Sequence, residues 1–253
     1  MSLVTKVGGL STVLPSGDLP IPDMWLDATA ISGLSDNDLV ATWTDKSENG
    51  NNATQSTTAN KPRYKTNQIN GLPMVDFSAD NVRYMGIPVN LARNKAGVTV
   101  LVVYRALAIP DPGNKRLFYL SRGTDGSHRI TIQYNDAAMA FLGRRLDADS
   151  VVSVSSSDQS NDTNYQITGV WDFAGGYLYG YEGGASMGSP VAFSSGAGNS
   201  SDTDSTYALL GNYYTHTSGF GGGIGELLYY KHKLTANEIA TAEGYLARKW
   251  GIS

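Results

Sequence analysis

Cysteine is absent from this 253-residue chain, and histidine occurs only as His128, His216 and His232. Without thiols the protein has no disulfide bridge, cysteine nucleophile or zinc–cysteine site. No apolar run approaches the roughly 20 residues of a membrane helix, and no apolar stretch of signal-peptide length follows the N-terminus. We therefore expect no membrane insertion. We expect assembly in a bacterial cytoplasm or, alternatively, an extracellular protein whose signal lies outside this sequence.

Charge is low and nearly balanced, with 19 basic and 23 acidic residues and a net charge of −4. Proteins that bind nucleic acid through its phosphates carry clustered positive charge, so no nucleic-acid partner is expected. Hydrophobic residues make up 41% of the chain, enough for a sizeable core. The 29 glycines exceed the usual share of roughly 7%. Many turns between short segments favour an all-β protein.

Short apolar or alternating segments predict strands from Trp25 onward. The clearest covers residues 98–104, which are almost all β-branched, aliphatic or aromatic. In residues 129–134 every second position is apolar, as in a sheet with one solvated face. Connections too short for crossover helices favour antiparallel pairing. The other predicted strands are Leu117–Ser121, Met139–Arg144, Tyr165–Phe173, Gly176–Tyr181, Tyr207–Gly211 and Ile224–Tyr230.

Three segments are predicted to lie outside the strands. Residues 1–22 contain Pro15, Pro20 and Pro22 and are predicted to form an extended arm, followed by one folded domain over 23–253. The polar segments 150–164 and 194–206 are predicted to be long surface loops.

One amphipathic helix is predicted at the C-terminal end. Thr235 and Glu238 have the spacing of a capping box, and Gly251 marks the end of the helix. A helix with a single apolar face needs a sheet to cover. The apolar face consists of Ile239, Ala242, Leu246 and Trp250.

Motifs at both ends of the chain form a recognisable pattern. They lie at residues 25–28 (Trp-Leu-Asp-Ala), 43–55, 69–77, 223–230, 234–239 and 245–252. Together they resemble the concanavalin A-like lectin/glucanase superfamily, in its laminin G- and pentraxin-like branch, which also occurs in tailed-phage virion proteins. The resemblance covers most of residues 24–252. It implies a two-sheet antiparallel β-sandwich, or jelly roll, with one C-terminal amphipathic helix.

The resemblance departs from the family pattern in one turn. The family turn usually reads Trp-x-Asp-x-Ser-Gly-Asn-Gly-Asn, and here Glu48 replaces the first glycine. A tight turn needs a residue with positive φ, for which glycine is best suited. We therefore expect the positive φ to move to Asn49 or Gly50.

Catalysis of the glucanase type is not expected. Retaining glucanases of the superfamily place two carboxylates on one strand in a Glu-x-Asp-x-x-Glu motif. The chain has only five glutamates, and none forms that motif. An active site built from aspartates, or a lyase site built from Tyr213, Tyr214, His216 and an arginine, stays open.

Asp36-Asn37-Asp38 is the candidate metal site. Its alternating oxygen ligands suit calcium, although an Asx-turn is the favoured interpretation because the other ligands of a calcium loop are missing. No other cofactor is expected.

Residues 211–217 are the candidate glycan site. Aromatic faces pack against the C–H surfaces of sugars, and a neighbouring amide supplies hydrogen bonds. Asn212, Tyr213, Tyr214 and His216 combine these groups. The alternative interpretation is an ordinary loop without a ligand.

These features predict a non-enzymatic structural or adhesion protein. We expect a tailed-phage virion-surface component, in the head decoration or the tail, that binds cell-surface glycans. Its expected partners are further copies of itself, as a trimer, or other virion proteins. The alternatives are a polysaccharide-degrading glycosidase or lyase, and a calcium-dependent lectin.

Overall fold

A computed structural model describes residues 21–78, 82–109, 113–123, 128–216 and 218–252. Residues 1–20 of the predicted arm lie outside these ranges. Within the ranges, 17 strands form two facing sheets. The other elements are one α-helix and two 3-10 helices, at Ala28–Ala30 and Thr58–Asn60. The predicted two-sheet antiparallel β-sandwich with one C-terminal helix is confirmed.

Sheet A has nine described strands in the order β14-β13-β12-β7-β17-β5-β4, and β1 and β15 pair at its side with β17 and β13. Its strands are β1 (Met24–Asp27), β4 (Arg63–Ile69), β5 (Leu72–Asp76), β7 (Val98–Ala106), β12 (Thr163–Asp172), β13 (Tyr177–Glu182), β14 (Ala185–Ser186), β15 (Val191–Ala192) and β17 (Gly222–Tyr230).

Sheet B has eight described strands in the order β11-β10-β9-β8-β16-β6-β3-β2. Its strands are β2 (Thr42–Trp43), β3 (Ala53–Thr54), β6 (Met85–Gly86), β8 (Asn114–Ser121), β9 (His128–Asn135), β10 (Ala138–Gly143), β11 (Val152–Asp158) and β16 (Tyr207–Leu210).

The main core lies between the sheets. Alternate residues of each strand point into it, because successive side chains of a strand face opposite ways. Each large apolar side chain buried there contributes about 1.5–3 kcal/mol relative to an exposed one. The largest members of this core are Trp43, Phe77, Tyr104, Phe118, Tyr134, Phe141, Trp171, Phe173 and Tyr229.

Strand β7 shows why the predicted strand over 98–104 is apolar throughout. Val100 and Val102 face the core between the sheets, whereas Leu101 and Val103 belong to a second apolar cluster on the other face of sheet A. That second face is covered by helix α1 (Ala236–Trp250). A strand covered on both faces has no solvated side and needs no alternation.

The ends of helix α1 follow the sequence signals. Thr235 and Glu238 form the predicted capping box, and Gly251 adopts a left-handed conformation with φ of +64°. Residues Ala242, Leu246 and Trp250 are buried against sheet A. The predicted amphipathic helix therefore forms and covers a sheet as expected.

A bulge in β17 controls which residues face the helix. The pairing of β17 with β7 shifts between Ile224 and Glu226, so Gly225 is the extra residue. The shift puts Ile224 into the core between the sheets and Glu226 under the helix. A Cβ atom on Gly225 would lie 2.8 Å from the ring of Trp250, so glycine is required for this close packing.

Two expectations are wrong. The segment 150–164 contains strand β11, which pairs with β10, because Val152 and Val154 pack against the core while serines take the other face. In the family turn, Glu48 itself has a φ of +66°, and Gly50 has +74°. The positive φ therefore stays at the family's glycine position instead of moving away from it. The segment 194–206 contains no strand or helix among its described residues, as predicted.

Candidate functional site

The outer face of sheet B, which points away from the core, carries buried side chains without a covering helix among the described residues. Tyr119 and Thr131 have no solvent-exposed area, and Gln133 has 1%. Leu142 and Leu209 are also buried, yet they belong to neither apolar cluster. Loops and neighbouring side chains therefore cover these residues.

The predicted glycan loop borders this face. Asn212 lies at its base and is fully buried. Its side-chain oxygen accepts hydrogen bonds from the backbone N–H groups of Tyr213 (2.8 Å) and Ser218 (3.2 Å), and its amide donates to the backbone of Arg83 (3.3 Å). These bonds give Asn212 a structural part in shaping the loop.

Aromatic rings connect the loop to the buried polar groups of the outer face. Tyr213 lies 4.3 Å from Tyr214 and 5.1 Å from Tyr119 between ring centres. Tyr119 in turn contacts the His128 ring at 5.7 Å. The remaining predicted loop residue, His216, has a φ of +57°. Tyr213, Tyr214 and His216 are each partly exposed, so their rings are accessible from solvent.

A shallow hollow of about 370 Å³ continues the same face beyond the loop. Thr42 and Thr54 line it, together with Tyr84. The Tyr84 ring stacks on His216 at 4.0 Å and 6° between planes, so the hollow and the loop are continuous. The lining of hydroxyl groups beside aromatic rings suits a polar ligand with apolar faces.

Three arginines also lie on this face, and one of them contacts the loop. Arg129 is paired, because its Nε and Nη2 bind the Asp147 carboxylate at 2.7–3.0 Å and its guanidinium also bonds Thr203. Arg116 lies 4.0 Å over the Tyr213 ring and donates to a backbone carbonyl. Arg144 donates no side-chain hydrogen bond to a described residue. Neither Arg116 nor Arg144 forms an ion pair within the described part of the chain.

Burial sets the protonation states of this region. It lowers the pKa of His128 to about 4, and the positive charges of Arg116 and Arg144 act in the same direction. Burial likewise raises the pKa of Tyr119. At neutral pH His128 is therefore uncharged and Tyr119 keeps its proton, while the two arginines stay charged.

Several buried polar atoms of the outer face make no hydrogen bond. They are the Nε atoms of Arg116 and Arg144, Oε1 of Gln133 and the hydroxyl of Tyr119. A buried polar group without a partner is unfavourable by about 1–3 kcal/mol. Four such atoms on one face mark it as a place where binding groups are kept free.

The candidate metal residues are occupied by the protein itself. Asp36 accepts from the backbone and hydroxyl of Thr66 (2.9 and 3.2 Å), and Asp38 accepts from the Ser35 N–H (2.7 Å). The Asn37 oxygen accepts from the Lys65 ammonium at 2.5 Å. An ammonium group here takes the place that a cation would need. Within the described ranges, no three histidine or acidic side chains gather as metal ligands.

Folding brings one carboxylate pair together, but under helix α1 instead of on the outer face of sheet B. Asp27 and Glu226 are paired across β1 and β17 and are 1% and 0% exposed. Lys249 bridges them at 2.8 and 2.7 Å, and Lys46 binds Asp27 at 2.6 Å. Burial opposes ionisation of Asp27, but Lys249 and Lys46 outweigh it and lower its pKa. Both carboxylates are therefore occupied in holding helix α1 against sheet A.

Sequence reasoning missed the arginines of this face. Strand pairing places Arg116 of β8 opposite Gln133 of β9, whereas Arg144, just after β10, lies beside Arg129. The two arginines are linked through His128, because both charges lower its pKa. The alternation in 129–134 predicted a polar face for that strand. A further signal was that Arg116 directly precedes one predicted strand and Arg144 ends another. The sequence does not show that these strands belong to one sheet, so it does not predict that the two arginines share a face.

Comparisons with known proteins define the fold. No protein-family model matches the chain, and no curated protein matches it significantly. Trypanosoma rangeli sialidase in complex with sialic acid superposes with a TM-score of 0.63 and 14% identity, over 98% of this chain and 36% of that one. The botulinum neurotoxin serotype D binding domain gives 0.61 and 9%, over 89% and 51%.

A smaller relative matches most of its own length. The Ruminococcus gnavus sialidase module CBM40 bound to α2,3-sialyllactose superposes with a TM-score of 0.50 and 14% identity, over 61% of this chain and 86% of that one. At such low sequence identities, the superpositions are evidence for a shared fold and for nothing further. The chain has the jelly-roll fold of lectin-like domains and spans about a third of the sialidase that it matches. No described helix is long and apolar enough to cross a membrane.

Proposed function

We propose that the protein is a non-enzymatic carbohydrate-recognition module that binds glycans on the outer face of sheet B. The observation that carries the proposal is the row of partly exposed rings of Tyr213, Tyr214 and His216 beside buried polar groups with free hydrogen-bonding atoms. Sugars combine apolar C–H faces with hydroxyl groups, so they match such a surface. Solved neighbours of this fold hold sialic acid and α2,3-sialyllactose, which supports the proposal.

A glycan array followed by calorimetry tests this function. Removal of the Tyr213 ring should weaken binding of the array's best ligand at least tenfold, because that ring lies at the centre of the aromatic row. The matched control is Tyr177→Ala, which removes an exposed tyrosine from sheet A and should leave the affinity unchanged. Equal loss in both variants, or no glycan binding at all, would contradict the proposal.

A polysaccharide lyase is the second candidate, and the contact between Tyr119 and His128 beside two arginines favours it. In such a reaction an arginine neutralises the carboxylate of a uronic acid, and uncharged His128 takes the proton from C5. Tyr119 donates its proton to the departing C4 oxygen as the C4–O bond breaks and a C4–C5 double bond forms. Incubation with uronate polysaccharides, followed by ultraviolet absorbance of the unsaturated product, tests this candidate. Absorbance that His128→Gln abolishes would favour the lyase.

For the biological setting we propose a virion-surface position, in the head decoration or tail of a tailed phage, with the module as a homotrimer that contacts a cell-surface glycan. The support is the prediction from the sequence of a proline-rich arm, together with the serine-rich loop over residues 194–206. Light scattering of the purified protein tests the trimer, and electron microscopy of labelled particles tests the position. A monomer without affinity for particles would contradict this setting.

A further inference from the structure

Arg116 and Arg144 are buried charges that form no ion pair with a described residue. Arg116 is 7% exposed to solvent and Arg144 is 9% exposed. Their neighbour Arg129 shows the usual arrangement, with a bidentate ion pair to Asp147. Asp147 and Asp149 influence Arg144 electrostatically, but Asp147 accepts hydrogen bonds from Arg129 and Thr203, and Asp149 accepts them from Leu146 and Ser195. Arginine stays protonated in proteins, so neither group can escape its charge by losing a proton.

This arrangement is unfavourable in the free protein. Desolvating a charge without a partner costs several kcal/mol in real proteins, and burial lowers the pKa of both guanidinium groups. His128 stays uncharged beside them, because a protonated ring would add a third positive charge to the same region. An unpaired charge of this kind is tolerated when a ligand supplies the missing partner.

The neighbouring groups narrow the ligand chemistry. A planar guanidinium matches a carboxylate in a two-bond geometry. Oε1 of Gln133 is free to accept a hydrogen bond from a sugar hydroxyl group, and the Tyr213 ring is the platform over which Arg116 lies. Nucleic acid would need a wider basic surface, whereas the chain carries a net charge of −4.

We propose that Arg116 and Arg144 bind the carboxylate of an acidic sugar, a sialic acid or a uronic acid, carried by the glycan. This inference rests on the proposed glycan-binding function and names the class of glycan. The carboxylate supplies the ion-pair partner that both arginines lack among the described residues, and the sugar ring extends from it toward Tyr213. Selectivity for acidic glycans over their neutral counterparts follows.

Calorimetry with four probes tests the inference. The probes are 3′-sialyllactose, lactose, a galacturonic acid trisaccharide and sodium sulfate. We expect one of the two acidic glycans to bind at least tenfold more tightly than lactose and than sulfate. Sulfate binding as tightly as the acidic glycans would indicate a plain anion site and would overturn the inference.

Charge-removing variants locate the site. Arg116→Gln and Arg144→Gln should each weaken acidic-glycan binding at least tenfold and weaken lactose binding much less, because lactose has no carboxylate. Arg248→Gln removes the same charge from the exposed side of helix α1, across the sandwich, and should have no effect. Thermal unfolding of each variant confirms that it is folded, and Arg144→Lys should retain part of the affinity.

The NMR titration of His128 supplies a readout that folding alone does not move. A bound carboxylate favours the protonated ring, so the pKa of His128 should rise from about 4 when the acidic glycan is added. Glycan binding that Tyr213→Ala abolishes but the two arginine variants leave intact overturns this inference and leaves the proposed function standing. Absence of binding to every glycan overturns both.

Discussion

Glu226 holds a negative charge that solvent does not reach, and four donors surround it. The indole N–H groups of Trp25 and Trp250 donate at 2.6 and 2.7 Å, the Tyr245 hydroxyl at 2.9 Å and the Lys249 ammonium at 2.7 Å. Each carboxylate oxygen of Glu226 thus accepts two hydrogen bonds. A buried carboxylate is stable only with such compensation.

Replacing Glu226 with glutamine should destabilise the protein by about 2–4 kcal/mol, because Lys249 loses one of two partners and the new amide N–H₂ faces donors. Urea unfolding followed by tryptophan fluorescence measures the change. The control is Glu48→Gln, the same chemical change at an exposed residue, which should stay within about 0.5 kcal/mol. A loss no larger than in the control would show that the four bonds contribute nothing net.

The residue scale is where sequence reasoning was weakest. Glu226 was recognised as a strand residue, but its partner Asp27 lies 199 positions earlier and meets it only through the pairing of β1 with β17. Arg116 and Arg144 share this limit. Residue type and local spacing carry no information on which strands become neighbours, so neither the helix-covered pair nor the arginine cluster was foreseeable.

Among the elements, the turn over residues 43–52 gives a structural reason for the motif at residues 43–55. The Asp45 carboxylate accepts the backbone N–H groups of Trp25 (2.8 Å), Ser47 (2.9 Å) and Asn51 (2.9 Å). Asn51 in turn donates to the backbone of Asp23 at 2.7 Å. The polar residues of this motif therefore hold the turn against β1 through hydrogen bonds, which is a structural role.

Glu48→Gly should stabilise this turn by about 0.5–1 kcal/mol, because a left-handed conformation is unfavourable for a side chain with Cβ by about 1–2 kcal/mol and glycine loses part of that gain to entropy. Chemical unfolding measures the gain. Glu48→Ala removes the same carboxylate but keeps the Cβ, so it separates backbone strain from charge. Equal stability of the glycine and alanine variants would be evidence against strain at φ of +66°.

Strands and helix were predictable to the extent that their patterns are local. The continuous apolar run of β7, the alternation of β9 and the capping box of α1 each leave a signal within a few residues. Strand β11 left almost none, because it is an edge strand of sheet B and its solvent face is made of serines. Its only signal was Val152 and Val154 two positions apart.

Across the whole molecule, the two outer faces of the sandwich treat charge in opposite ways. Under helix α1, Asp27 and Glu226 share Lys249, so negative and positive groups alternate. On the outer face of sheet B, Arg116 and Arg144 have no such partner among the described residues. A protein with a net charge of −4 thus has a local positive region on this face, which is the basis of the proposed preference for an anionic ligand.

The unfolding free energy of the whole protein should fall as the pH drops from about 6.5 toward 4, because His128 has a lowered pKa in the folded state. His128 in the unfolded chain gains a proton near its ordinary pKa of about 6.5, whereas in the folded protein burial, Arg116 and Arg144 keep its pKa at about 4. Between these values the unfolded state binds more protons, which reduces the unfolding free energy by up to about 1.4 kcal/mol for each pH unit. Above pH 6.5 the contribution is complete. Half-exposed His216, whose pKa burial also lowers, acts in the same direction.

Urea unfolding at pH 7.5, 5.5 and 4.5 measures this dependence. His128→Gln should flatten it, because the replacement does not titrate, whereas His232→Gln at an exposed site should leave it as in the unmodified protein. The carboxylates that begin to titrate near pH 4, including Asp27 with its lowered pKa, affect all variants alike and so cancel in the comparison. A saturating acidic glycan should also flatten the curve, since its carboxylate favours the protonated ring. An unchanged slope in His128→Gln would mean that the outer face of sheet B is open enough for water to solvate the imidazolium, and the unpaired arginines would then lose their reason to select an anion.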